Sequence, residues 1–285
     1  MGKHPISGRE RIGPFDTTID ADYCERYADA VRSNNSRYRD GSAVPPLAIA
    51  AQIFQGQWAA MDSMVPSMLE GRPRGGVHGS HDVRIFRPIR VGEPLVTYVE
   101  PHSARPFKDN ARVVTRHVTV DVREQPVVEQ LWTTVLFSVS CPVVGPDAPD
   151  HAFPDSLRSQ PILSSELEVD EEMTRLYAEV SEDFSAHHFD LEAARAGGFD
   201  RVFLHGLCSL ALCAEAAVEG PAGGAPERVT RVAGRFTSPA FLGQALRIEV
   251  FDAMDGAYAL EATGGSGAKV ISHGRVELGG TAQVG

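Results

Sequence analysis

The sequence predicts an α+β fold in which antiparallel sheet wraps a central apolar helix, and it predicts this arrangement twice. Three observations point to it. Long segments such as VVTRHVTVDV (113–122) and ALRIEVFDAM (245–254) alternate apolar and polar residues, as strands with one buried face do. Residues 206–219 are so rich in Ala, Leu and Cys that a helix there is apolar on nearly every side and needs a sheet around it. The two halves of the 285-residue chain also follow one plan.

Each half begins with a helix carrying acidic residues, over roughly 20–32 and 170–180. A polar loop follows, then an Ala-rich apolar helix over roughly 46–64 and 206–219. Strand segments close each half. RIFRPIRVGEPLVTYVEP (84–101) and RFTSPAFLGQALRIEVFD (235–252) both start on Arg, reach a Phe, pass a Pro, and place a Gly before an alternating run. VEQLWTTVLFSVS and AYALEATGG read as further antiparallel strands. SNNSRYRD (33–40) aligns with DFSAHHFD (183–190), and Phe86, Pro88 and Gly92 then align with Phe236, Pro239 and Gly243. The pattern is that of a duplicated helix-plus-sheet unit of about 130 residues. Between the copies, residues 142–165 are rich in Pro, Ser and Asp without apolar period and read as a linker. The organisation is therefore a unit over 1–141, a linker over 142–165, and a unit over 166–285.

Composition excludes some function classes. A net charge of −11 leaves nothing to offset phosphate repulsion, which argues against a nucleic-acid partner. No apolar run approaches the ~20 residues that span a bilayer, so no membrane partner is expected. The opening MGKHPISGRERIG lacks an apolar leader core, Ile6 breaks a myristoylation pattern, and AQVG is no peroxisomal address. Cys24, Cys141, Cys208 and Cys213 lack CxxC spacing and read as free buried thiols, which fits a cytoplasmic protein. Cys208, in a first helical turn, is expected to be a buried apolar residue rather than a nucleophile.

Chemistry concentrates in SEDFSAHHFD (181–190). Asp183 and His188 are five apart, which is poor same-face spacing on a helix, yet an irregular loop can turn both inward. Asp190 is placed to cap a short helix that Gly197 and Gly198 stop. Downstream, His205 and Gly206 enter the apolar helix, whose first turn offers unpaired N–H groups and a positive dipole end. A carboxylate, an imidazole and an oxyanion site thus lie within one short span. The phosphate-loop pattern GxxxxGK[ST], the GxGxxG unit and the GxSxG elbow are absent, so no cofactor is expected. No metal is expected either, because His78, His81, His187 and His188 lack a third or fourth ligand at suitable spacing.

The letters D-F-S-A-H-H-F-D, then A-x-x-x-G-F, then L-H-G-L-C closely resemble the hydratase 2 motif of the MaoC-like dehydratases. Asp183, His188, Asp190, Ala194, Gly198, Phe199, His205 and Gly206 all fall in step with it. Over the whole chain the layout resembles the double hot-dog (R)-specific 2-enoyl-CoA hydratases, such as the hydratase domain of the peroxisomal multifunctional enzyme. VHGSHDVRIFRPIRVGEPL (77–95) is similar to that family's N-terminal half.

The resemblance implies a double hot-dog fold with one site per chain. Ser33 and Tyr38 stand where Asp183 and His188 stand, so the N-terminal unit is the degenerate copy and makes room for the acyl chain. The implied reaction is reversible hydration of 2-enoyl thioesters, or dehydration of (3R)-3-hydroxyacyl thioesters. Asp183 and His188 would form the acid–base dyad, with Gly206 in the oxyanion hole. Ser185, His205, His78, Gly79, Lys108 and Phe236 are the residues implied to bind the thioester; Lys108 would meet a phosphate as a point charge. The partner is an acyl-CoA or acyl-carrier-protein thioester, and the family admits a homodimer. Motif register selects His188 over His187. Ser185 and Ala186 replace the motif's Asn and Pro. With that change a specialised dehydratase or a double-bond isomerase acting on a carrier-bound chain stays open, as do a thioesterase and, in another class, a non-catalytic acyl-binding subunit.

Overall fold

The computed structural model describes residues 11–280. The N-terminal residues read above for a leader signal, 1–10, and the C-terminal 281–285 lie outside it. The first half runs β1 (Ile12–Thr18), α1 (Ala21–Ala30), α2 (Ser36–Arg39), α3 (Ala48–Ala51), α4 (Phe54–Ser63), β2 (Gly76–Ile85), β3 (Pro94–Phe107), β4 (Asn110–Asp121) and β5 (Pro126–Leu136). The second runs β6 (Leu163–Val169), α5 (Glu171–Ser181), α6 (Leu191–Ala196), α7 (Gly206–Glu219), β7 (Val229–Phe236), β8 (Gln244–Asp252), β9 (Ala257–Gly264) and β10 (Lys269–Leu278).

The strands form one antiparallel sheet in the order β1-β3-β4-β5-β2-β7-β10-β9-β8-β6. Each half contributes five strands in the same internal order, and the halves join edge to edge where Asp82 of β2 pairs with Ala233 of β7. This is a double hot-dog. The duplication extends to the caps. Asp20 accepts from the Tyr23 backbone N–H at 2.8 Å to start α1, and Asp170 accepts from that of Met173 at 2.7 Å to start α5.

α7 is the wrapped helix of the second half, buried from Leu207 to Val218 as its composition requires. Gly234 permits its close approach to the sheet, since a Cβ there would lie 2.7 Å from Leu210 Cδ1. Each of Leu207, Leu210 and Leu212 contributes about 1.5–3 kcal/mol by leaving water. All four cysteines are free and buried, and burial pushes the Cys208 thiol well above its ordinary range.

The first half departs from expectation. The single helix expected over 46–64 is broken at Gln52 and Ile53 into α3 and α4. α4 turns to bear on β1 and β3, where Gly56 approaches so closely that a Cβ would stand 3.0 Å from Val99 Cγ2. Only Gly56, Gln57 and Ala60 of α4 are buried, and its other face opens on a cavity.

The linker segment is also shorter than expected. Residues 163–165 belong to β6, because pairing with β8 satisfies their backbone groups. The preceding residues are tied down by Arg105–Asp147 at 2.8 Å, His151–Asp82 at 3.0 Å and Arg158–Glu261 at 2.9 Å. Among the described residues no helix is long and apolar enough to cross a membrane.

Candidate active site

α5 ends at Ser181, and Glu182 then turns the chain through the left-handed region at φ 56°. The loop that follows is held by its own side chains. Asp183 Oδ1 accepts from the Ser185 backbone N–H at 3.1 Å and from the Ser185 hydroxyl at 2.5 Å. A short turn over Ala186–His188 then places the His188 ring in the wall, and Asp190 caps α6 by accepting from the Ala193 N–H at 2.7 Å. Gly198, at φ 87°, ends that helix.

His188 Nδ1–H donates to the Phe203 carbonyl at 2.8 Å, which fixes the tautomer and leaves Nε2 without a proton. That Nε2 faces Asp183 Oδ2 at 3.8 Å. Burial, reinforced by His205 and His187 alongside, pushes the His188 pKa down to about 2, so the imidazole is neutral. His205 stacks on His188 with ring centroids 3.8 Å apart, and its Nε2–H donates to the Asp183 carbonyl at 2.9 Å. It is buried, and burial lowers its pKa as well. The next residue, Gly206, opens α7, so its N–H lies in the unpaired first turn. A Cβ on Gly206 would meet Phe236 at 3.1 Å, so glycine lets that ring lie against the helix start.

These groups border a cavity of about 760 Å³ walled by both halves. Asp183, Ser185, His188, His205, Gly206, Phe236 and His78 all reach it, and so does His187, over which motif register selects His188. Gly79 and Lys108 do not line it. Gly79 lies in an irregularity of β2 between His78 and Ser80, against Val135. Lys108 sits at the β3–β4 hairpin tip in the left-handed region, with Nζ 5.9 Å above the Phe107 ring. Asp183, His188 and His205 bring three ligand-type atoms within 4.8 Å of one another, a grouping that includes only one of the histidines weighed above as metal ligands. Spacing along the chain could not reveal it, because His205 arrives from beyond α6.

The degenerate loop has a partner that the sequence reading missed. The Ser33 hydroxyl donates to Glu215 Oε2 at 2.8 Å, and the Tyr38 hydroxyl donates to Oε1 at 3.1 Å. Burial raises the Glu215 pKa to about 7 against the opposing pull of those two hydrogen bonds. A carboxylate from α7 thus occupies the polar groups that replace the dyad. Also missed were Gln57, Trp132, Thr134 and Tyr177, which line the cavity, and Phe203, whose carbonyl orients His188. No local pattern marks them, since each arrives through tertiary contact between halves or elements.

A family model described as the MaoC like domain matches residues 153–260, and one described as the FAS1-like dehydratase domain region matches residues 6–130. The chain is 26% identical over 255 residues to 3-hydroxyacyl-thioester dehydratase Y of Mycobacterium tuberculosis, covering 87% of this chain and 86% of that protein. It is 34% identical over 92 residues to the peroxisomal enoyl-CoA hydratase 2 of Arabidopsis thaliana, covering 32% and 29% of the two chains. Its fold matches a crystal structure of a MaoC-like dehydratase from Phytophthora capsici with a TM-score of 0.82 and 21% identity, covering 96% of each chain.

Proposed function

We propose that this chain, which belongs to the MaoC-like dehydratases, reversibly hydrates 2-enoyl thioesters and dehydrates 3-hydroxyacyl thioesters. The observation that carries this reading is the pair of acceptor atoms, His188 Nε2 and Asp183 Oδ2, facing each other at 3.8 Å on a cavity wall beside the start of α7. Two acceptors at that separation can hold one water by its two hydrogens and leave an oxygen lone pair for the substrate.

In the hydration direction the water oxygen bonds to C3 while the C2–C3 π pair moves toward C2. The water gives one proton to the dyad, and the dyad returns one to C2, so the net addition is H and OH. Acid–base assistance of this kind contributes about 10²–10⁴-fold. As C2 becomes carbanion-like, the thioester oxygen gains negative charge. The Gly206 N–H and the positive end of α7 stabilise it, a contribution of about 2.7–4 kcal/mol where one such donor has been removed elsewhere. Ser185 and His205 hold Asp183 from its carboxylate and carbonyl ends, respectively. The residues of 1–141 on the cavity wall receive the acyl chain. The stereochemical course taken here is the (3R) one, on motif register.

The test is to supply crotonyl-CoA and longer 2-enoyl-CoA thioesters to the purified protein while following the conjugated-enoyl absorbance and free thiol. Loss of the enoyl band without thiol is the expected result. Thiol release would replace hydration with thioester hydrolysis, and no change in either signal would leave an acyl-binding role.

A further inference from the structure

The N-terminal wall of the cavity combines aromatic rings with hydrogen-bonding groups, and the reaction above gives those polar groups no task. His78, half-buried and open to the cavity, lies flat on the Trp132 indole with centroids 3.7 Å apart and planes 3° from parallel. Its ring also meets Phe236 at 4.6 Å, and Phe236 lies against Gly206, so this wall begins one ring away from the oxyanion position. Behind His78 runs a buried relay. His81 Nε2–H donates to Gln130 Oε1 at 2.9 Å, so His81 Nδ1 accepts from His78 Nε2–H at 3.2 Å.

A second relay ends on Thr134, which also borders the cavity. Gln57 Oε1 accepts from the Thr115 hydroxyl at 2.7 Å and from His117 Nε2–H at 3.1 Å. Gln57 Nε2 then donates to Thr134 Oγ1 at 3.4 Å. Thr134 is therefore already an acceptor, and among the described residues its hydroxyl hydrogen has no acceptor. A donor held in this way on a cavity wall calls for an oxygen on the ligand. An alkyl chain laid across it would desolvate it without return.

The charge state narrows the ligand. Burial pushes His81 down to about 4 and His117 down to about 3, and holds His78 well below its ordinary range, so all three are neutral. These relays present no cation, and a carboxylate would find no counter-charge among them. A neutral oxygen would find a donor.

We propose that Thr134 and His78 form a subsite for a hydroxyl on the acyl chain beyond the reacting carbons, its oxygen accepting from the Thr134 hydroxyl and its hydrogen going to His78 Nδ1, the nitrogen that the relay leaves unprotonated. This rests on the thioester reading above and specifies its substrate class: oxygen-bearing enoyl or 3-hydroxyacyl chains in preference to plain alkyl ones. Trp132 and Phe54, edge to face at 5.4 Å, supply the apolar surface around that oxygen.

The experiment compares kcat/KM for trans-2-octenoyl-CoA with that for octenoyl-CoAs carrying a hydroxyl at C5, C6, C7 or C8. At least one oxygenated thioester is expected to exceed the alkyl one by about tenfold or more. Thr134→Val removes the donor while keeping the shape, and is expected to lower that ratio at least about fivefold through KM. His78→Phe keeps the stack on Trp132 and serves as the second variant, with a fall of the same sense expected. An alkyl thioester hydrated as well as every oxygenated one overturns the subsite while leaving the hydratase reading in place. So does a ratio that neither variant moves. Failure to hydrate any of the thioesters overturns the hydratase reading, and this inference falls with it.

Discussion

His188 Nε2 stands 3.8 Å from Asp183 Oδ2 with no hydrogen bond between them, although both side chains are buried. Each is anchored elsewhere: His188 through Nδ1 to Phe203, and Asp183 through Ser185. The reactive faces are thereby left for a third molecule. A dyad that had closed on itself would offer a substrate water no acceptor.

The neutral state of His188 predicts the pH profile. An ordinary histidine would titrate near 6.5 and place an acid limb there. Burial and the neighbouring histidines hold this one far lower. The kcat/KM for enoyl-thioester hydration is therefore expected to stay flat from about pH 8 down to about 5.5. Initial rates over that range check it, and an acid limb centred near 6.5 would contradict it.

Ser185 is expected to act through Asp183 and not on substrate. Ser185→Ala removes the hydroxyl that meets Oδ1 at 2.5 Å and frees the carboxylate to rotate. The expected result is a kcat about 10–100-fold lower with little change in KM. Ser185→Asn, which offers an amide donor from the same position, should recover part of it. Steady-state kinetics on one enoyl thioester decide the matter.

The seam between halves carries a buried ion pair. Arg231 of β7 reaches Asp82 of β2 through Nε at 2.9 Å and Nη2 at 2.6 Å, and the linker's His151 joins at 3.0 Å. Asp82→Ala removes the bidentate partner of a buried guanidinium and leaves it only Glu277, 3.4 Å from Nη1, which is expected to cost about 3 kcal/mol. Chemical denaturation measures it. A loss below about 1 kcal/mol would show that Glu277 and water together satisfy Arg231.

Glu215 predicts a pH dependence of stability with a definite sign. Its folded pKa, about 7, lies above the ordinary 4.5, so the fold favours the protonated form. The contribution is complete below about pH 4.5 and is lost as pH rises through 7. Glu215→Gln cannot ionise. From pH 4.5 to 7.5 the wild type is expected to lose up to about 3 kcal/mol relative to this variant. The comparison must be made against the variant at each pH, because buried neutral histidines such as His81 and His117 act in the opposite sense over the same window. Denaturation midpoints of both proteins at several pH values test it, and a constant difference would contradict the assignment.

The residues whose signals are local were legible in the sequence. Asp190 before a helical run, Gly197 and Gly198 after it, and Asp183 and His188 in a loop repeated without them at Ser33 and Tyr38 could all be read from order and spacing. Sheet wrapped round an apolar helix, twice over, followed from strand alternation, the repeat and the apolar character of α7, whereas the double hot-dog was what the motif resemblance implied. What could not be read is how these and other residues meet in three dimensions. His205 joins Asp183 across α6, Glu215 reaches back to the first half, and Gln57 faces the cavity only because the helix breaks at Gln52 and Ile53. Neither Gly nor Pro marks that break, and the helical periodicity runs through it unchanged.

The most direct measurement is the rate of enoyl-band loss with crotonyl-CoA for the wild type, Asp183→Asn and His188→Ala, each shown by circular dichroism to be folded. The wild type is expected to hydrate the thioester. Each variant should lose at least about 10²-fold in kcat, the lower end of acid–base assistance. Near-wild-type rates in both folded variants would contradict the dyad.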